Sequence, residues 1–157
     1  MTQTIAGASV WEQEFYDHLC SHVDAELETL RAYEQLASST DSQAFKYLAR
    51  LILDDERRHH KILNELAESI RTTAELSAKP TPIPGLDFGL QRDAILAATE
   101  RFLDVERADD KELKRLAKEL KDVRETTLWE LVLELIKADN EKHRRILGFI
   151  RDHAKKA

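Results

Sequence analysis

Leu51-Ile-Leu-Asp-Asp-Glu-Arg-Arg-His-His-Lys-Ile-Leu63 reads as the middle of an amphipathic helix. Phe45, Leu48, Ile52, Ile62, Leu63 and Leu66 recur at spacings of three and four, which places them on one face. At about 100° per residue, Asp55 and His59 fall within roughly 40° of the centre of that face. Ionisable groups on a core-facing stripe are costly unless something pairs with them. The stretch then recurs. Ile136-Lys-Ala-Asp-Asn-Glu-Lys-His-Arg-Arg-Ile-Leu147 aligns with Ile52 to Leu63 at the offset of 84 that separates His59 from His143. Asp139 falls on Asp55, and Trp129, Val132, Leu135 and Ile150 fall on Phe45, Leu48, Leu51 and Leu66. The chain reads as two copies of one helical hairpin, each with an inward Asp-x-x-x-His.

Composition agrees with a helical protein. The 157 residues suit one domain with a sizeable core. Four Gly and three Pro are few, and Ala, Leu, Glu, Lys and Arg abound. A net charge of −6 argues against a general nucleic-acid binder. Mixed-sign runs such as Asp109-Asp-Lys-Glu-Leu-Lys-Arg-Leu116 read as solvated helix faces. A single cysteine, Cys20, excludes a disulfide within these residues and fits a reducing, cytoplasmic compartment. No apolar run approaches the roughly 20 residues that span a bilayer, and no signal peptide is read at the start.

Taken in order, residues 1–8 are expected to fray. A first helix is expected from about Ser9, as N-cap, to Ser38, with Trp11, Phe15, Leu19, Tyr33 and Leu36 on its stripe. His18, His22 and Glu26 interrupt that stripe. A short turn, with Asp41 able to cap, makes a second helix over Ser42 to Thr73 an antiparallel neighbour. The segment from Ala74 to Leu90 holds all three Pro and two of the four Gly, so it is a connection. Fully extended it reaches about 56 Å, against about 48 Å for the second helix. It can therefore start a third helix, expected over Gln91 to Leu120, parallel to the second. A turn over Lys121 to Glu125 and a fourth helix over Thr126 to His153 complete the chain. A core is expected through Trp11, Phe15, Leu48, Ile52, Phe102, Val132 and Ile136.

Each helix thus brings ionisable groups to mid-height: His22 and Glu26, Asp55 and His59, Glu106 and Asp110, Asp139 and His143, with Glu56 near enough to reach inward. Imidazoles and carboxylates converging inside a bundle suit a first-row metal ion. Glu26, Asp55, Glu106, Asp110 and Asp139 would carry about −5 when ionised, which two divalent ions would largely offset. The competing reading is a metal-free helical module, with a buried Asp/His network inside and a partner-binding face outside. His60, Arg57 and Arg58 read as surface charges, His18 as a core residue or one that supports the ligands from behind, Tyr33 as core, and Cys20 as packing.

The pattern resembles the ferritin-like superfamily, its rubrerythrin and bacterioferritin branch in particular, over residues 9–153. The family motif is one Glu from each of helices one and three, with Glu-x-x-His from each of helices two and four. Glu56-Arg-Arg-His59 matches the second-helix motif, Glu106 the third-helix Glu, and His143 the fourth-helix His. Two positions depart. His22 stands at the first-helix Glu position, with Glu26 one turn on. Asn140 replaces the bridging Glu of helix four, with Asp139 beside it. The resemblance implies a single all-α domain, a four-helix bundle of two antiparallel hairpins with a long crossover between helices two and three. It implies a di-metal centre of iron or manganese, drawn from His22, Glu26, Asp55, Glu56, His59, Glu106, Asp110, Asp139 and His143. It further implies redox chemistry with oxygen, peroxide or ferrous ion; a small homo-oligomer is expected, and charge and hydropathy point to neither a nucleic-acid nor a membrane partner. The internal repeat favours Asp55 as the second-helix ligand, and the family motif favours Glu56.

Overall fold

The computed structural model describes residues 3–120 and 128–155. The described residues contain four α-helices: α1 Val10–Ser39, α2 Gln43–Ala74, α3 Arg92–Glu119 and α4 Trp129–Ala154. A 3-10 turn, Gly89–Gln91, leads into α3. The chain divides into two compact units, 1–85 and 86–157, each a helical hairpin. None of these helices is long and apolar enough to cross a membrane. The turn expected over Lys121 to Glu125 and the expected helix start at Thr126 lie outside the described residues.

The first unit is fixed at its ends by caps. Ser9 is extended at the start of α1 and forms a capping box with Glu12. The Glu12 carboxylate accepts from the Ser9 backbone N–H at 2.8 Å and from its hydroxyl at 2.6 Å. The capping hydroxyl of α2 is Ser42, which accepts from the Phe45 N–H at 3.3 Å. Asp41 does not fill that place. With so short a turn between them, α1 and α2 pack against each other as antiparallel neighbours. Leu19 and Leu30 on α1 and Ala49, Leu53 and Ala67 on α2 are buried.

The buried line of α2 differs from the expected stripe. Ala49, Leu53, Glu56, His60, Leu63 and Ala67 follow one another at four, three, four, three and four residues, and all are buried or half-buried. Ile52, Ile62 and His59 are exposed. Helix α2 carries two neighbouring apolar stripes, and the one with small residues at Ala49 and Ala67 is turned inward. Of the residues expected in the core, Phe15, Leu48 and Val132 are half-buried within their own hairpins, and Trp11, Ile52, Phe102 and Ile136 are exposed.

Residues 3–8 are not frayed. Ile5 is only 4% exposed. Its N–H donates to the Gln13 Oε1 at 2.8 Å, and Gln13 Nε2 donates to the Gln3 carbonyl at 3.1 Å. Gly7 has φ +80°, and a Cβ there would lie 2.8 Å from the Ala74 carbonyl oxygen. The strand of chain before α1 is therefore laid across the last turn of α2. That turn ends in a Schellman arrangement, with Leu76 N–H on the Thr73 carbonyl and Ser77 N–H on the Thr72 carbonyl. Leu76 holds the left-handed position at φ 51°. Beyond it the connection folds back along α2, where the Ile83 N–H donates to the Ser69 hydroxyl at 2.9 Å.

In the second unit α3 and α4 pack together, with Leu103, Thr99, Asn140 and Ala154 buried. Phe102, Val105, Ile146 and Phe149 form exposed apolar surface.

Candidate metal centre

Glu26 lies midway along α1, on the side that α2 covers. Its side chain is only 13% exposed, and His22, one turn earlier, approaches Oε1 with its Nε2 at 3.5 Å. Its other oxygen, Oε2, is buried without a hydrogen-bond partner. On α2, Glu56 and His59 are three residues apart and so share a face. The His59 Nδ1 lies 3.8 Å from the Glu56 Oε2. One donor atom from each of Glu26, Glu56 and His59 falls within 4.8 Å of the others. Among the described residues this is the group whose spacing could hold a metal ion. Two carboxylates and one imidazole are a borderline-hard set suited to divalent iron, manganese or zinc. The unpartnered buried oxygen of Glu26 is the kind of atom that a cation would satisfy.

Cations of the chain are directed elsewhere around this group. Arg57 pairs with Glu34 at 2.8 Å and Asp54 at 3.4 Å, and Arg58 pairs with Asp55 at 2.8 Å. Asp55, favoured by the internal repeat, is 58% exposed and held by that guanidinium. It lies outside the group, because the inward stripe of α2 runs through Glu56. His22 is exposed and touches the group only through Glu26.

The second unit arranges its residues differently. The His143 Nδ1 lies 3.3 Å from the Glu106 Oε1, joining α4 to α3. One turn along α3, Asp110 Oδ2 lies 2.7 Å from the Arg144 guanidinium. Asn140 is buried. Asp139, expected to stand for the missing Glu, is 54% exposed and pairs with Lys142. An apolar cleft of about 260 Å³, lined by Phe102, Val105, Ile146 and Leu147, opens beside the Glu106–His143 pair. A larger cleft of about 570 Å³, lined in part by Arg92, Asp93 and His153, contains none of the nine expected ligands. Its basic groups are engaged, Arg92 with Asp93 at 3.2 Å and His153 with the Phe149 carbonyl at 2.8 Å.

The structure thus unites Glu26, Glu56 and His59, joins Glu106 to His143, and leaves Asp55 and Asp139 at the surface. The Arg144–Asp110 pair was not foreseen from the sequence. Its signal is a basic residue aligned at the repeat offset with His60, on the buried line of α2. No protein-family model, curated protein or solved structure matches the chain.

Proposed function

We propose that this chain is a ferritin-like metal protein that binds a first-row divalent ion, iron before manganese, through Glu26, Glu56 and His59. The observation that carries the reading is the convergence of these three donors from two helices, with one Glu26 oxygen buried and unpartnered. Two ionised carboxylates and a neutral imidazole carry about −2, which a divalent ion offsets. When bound, iron or manganese supplies a change of oxidation state for reaction with oxygen or peroxide. The residues themselves orient the ion: Glu26 is held from α1, Glu56 and His59 from α2, and His22 contacts the Glu26 carboxylate. In the ferritin-like arrangement α2 and α3 run parallel. Spin labels at Gln43 and Arg92, at the starts of these helices, should then lie at the same end. An antiparallel arrangement would separate them by roughly the length of a helix, about 40 Å.

Elemental analysis of protein purified without chelators, and melting of the apo chain with added metal, test the metal reading. A metal that binds only the folded state stabilises it by mass action. At a hundredfold excess over Kd the gain is about 2.7 kcal/mol, which should raise Tm on the order of 10 °C. Glu56→Gln should remove most of that rise. No bound metal and an unchanged Tm at millimolar ferrous or manganous ion would instead favour a metal-free helical module. Each hairpin would then offer its own exposed apolar residues to a partner, Ile52 and Ile62 on the first and Phe102 and Phe149 on the second.

A further inference from the structure

Resting on the metal reading, we propose that His22 is a further ligand of the same ion. When the ion binds, the His22 imidazole turns from the Glu26 carboxylate to the metal, and the first hairpin supplies two nitrogens and two carboxylates. Heights along the hairpin carry the argument. Glu26 lies thirteen residues before Ser39, the end of α1, and Glu56 thirteen after Gln43, the start of α2. In an antiparallel pair joined by a short turn the two acids are therefore level. His22 and His59 lie seventeen and sixteen residues from the same two ends. The imidazoles thus form a second level, about 5 Å further from the turn at about 1.5 Å per residue. Exposure divides the four side chains in the same way. Glu26 and Glu56 are 13% and 29% exposed, His22 and His59 57% and 49%. The inner level offers oxygen and the outer level nitrogen.

The second hairpin shows that the two outer positions can meet. At the offset of 84, His22 corresponds to Glu106 and His59 to His143. These counterparts stand on different helices, and the His143 Nδ1 lies 3.3 Å from the Glu106 Oε1. In the first hairpin each imidazole instead leans on the acid of its own helix, His22 at 3.5 Å from Glu26 and His59 at 3.8 Å from Glu56. Both separations exceed the roughly 3 Å of a firm N–H···O bond, so these contacts hold the rings weakly. Side chains exposed to this degree change rotamer readily. A second nitrogen also changes which ion is preferred. Imidazole suits iron and the later first-row ions, and oxygen-rich sets suit manganese. His22 therefore tilts the site from manganous towards ferrous and cobaltous ion.

Cobaltous ion is the probe, because each imidazole that it binds gives its own paramagnetically shifted ring-proton resonances. On the intact chain, His22→Gln should remove one such set and keep that of His59. Glu56→Gln should lose both sets together, which ties the two rings to one ion. His22→Gln should weaken cobaltous binding by on the order of tenfold or more, since even a residue behind the ligands commonly costs that much. Manganous binding, read in parallel, should weaken less. The side chain of His22 is exposed, so the apo variant should melt as the natural chain does. Shifted resonances unchanged in His22→Gln, or equal weakening of both ions, would overturn the role of His22 and leave the metal reading intact. A His22 set that survives Glu56→Gln would also overturn it, by placing that ring on another ion. A natural chain that binds neither ion would overturn the metal reading itself.

Discussion

Asp55 and Glu56 are adjacent, and the choice between them is decided by about 100° of helix rotation. The repeat speaks for Asp55, since the second hairpin keeps an Asp at position 139 and places Asn140 opposite Glu56. The structure seats Glu56 beside His59 and leaves Asp55 on Arg58. Glu56→Gln should therefore deplete bound metal while Asp55→Asn leaves it nearly full. Both changes keep shape and remove one charge, so metal content measured side by side separates them; depletion by Asp55→Asn alone would return the argument to the repeat. Two carboxyls outside this group act on stability through pH. The Ser9 hydroxyl and backbone N–H hold Glu12 below the ordinary carboxylate range, and the Arg71 guanidinium does the same for Glu68. A lowered folded pKa means that the contribution is present above the unfolded value and is lost as pH falls through the folded one. Ser9→Ala should cost about 1 kcal/mol at neutral pH. It should also flatten the acid limb of the stability curve, as read by urea unfolding between neutrality and low pH.

At the scale of elements, two opposite backbone choices meet at the C-terminal end of α2. Leu76 occupies the left-handed C′ position, where glycine is usual, and its side chain is 91% exposed. Leu76→Gly removes strain and no packing, and should raise stability by about 1 kcal/mol. Gly7 is the reverse case. Its positive φ and the nearby Ala74 carbonyl leave no space for a side chain, so Gly7→Ala should destabilise by more than 1 kcal/mol and release residues 3–8. Thermal melting of the two variants should move in opposite directions. Helix limits were largely legible in the sequence, because caps announce them: Ser9 begins α1, and the connection's Pro and Gly follow the end of α2. Ser42 rather than Asp41 caps α2, since both are capping types one residue apart. The inward face of α2 was less legible. Its apolar arc is wide enough for two stripes, and the buried one contains two alanines that periodicity alone scores weakly. The clip formed by Ile5, Gly7 and Gln13 was illegible, because it rests on a partner more than sixty residues away, at Ala74.

At the scale of the molecule, the repeat accounts for the two similar hairpins and also for their difference. The all-helical architecture follows from composition and period. The expected meeting of nine ligands depended on side-chain direction; within the first hairpin Glu26, Glu56 and His59 come together, and within the second Glu106 meets His143 and Asp110 meets Arg144. If the ion belongs to the first unit, its stabilisation should be local. Hydrogen exchange with and without manganous ion should then show added protection along α1 and α2 and little change along α3 and α4. Equal protection in both units would count against a site confined to one.

The two tryptophans fall one to each unit, Trp11 near the start of α1 and Trp129 at the start of α4. Trp11 stacks on Phe15 with ring centroids 5.5 Å apart, and both indoles are exposed. Each hairpin therefore carries its own optical reporter at a position that neither binds metal nor fills the core. With Trp129→Phe the remaining emission comes from the first hairpin, and with Trp11→Phe from the second. Two unfolding curves recorded in this way would reveal whether the halves melt as one cooperative body or in succession.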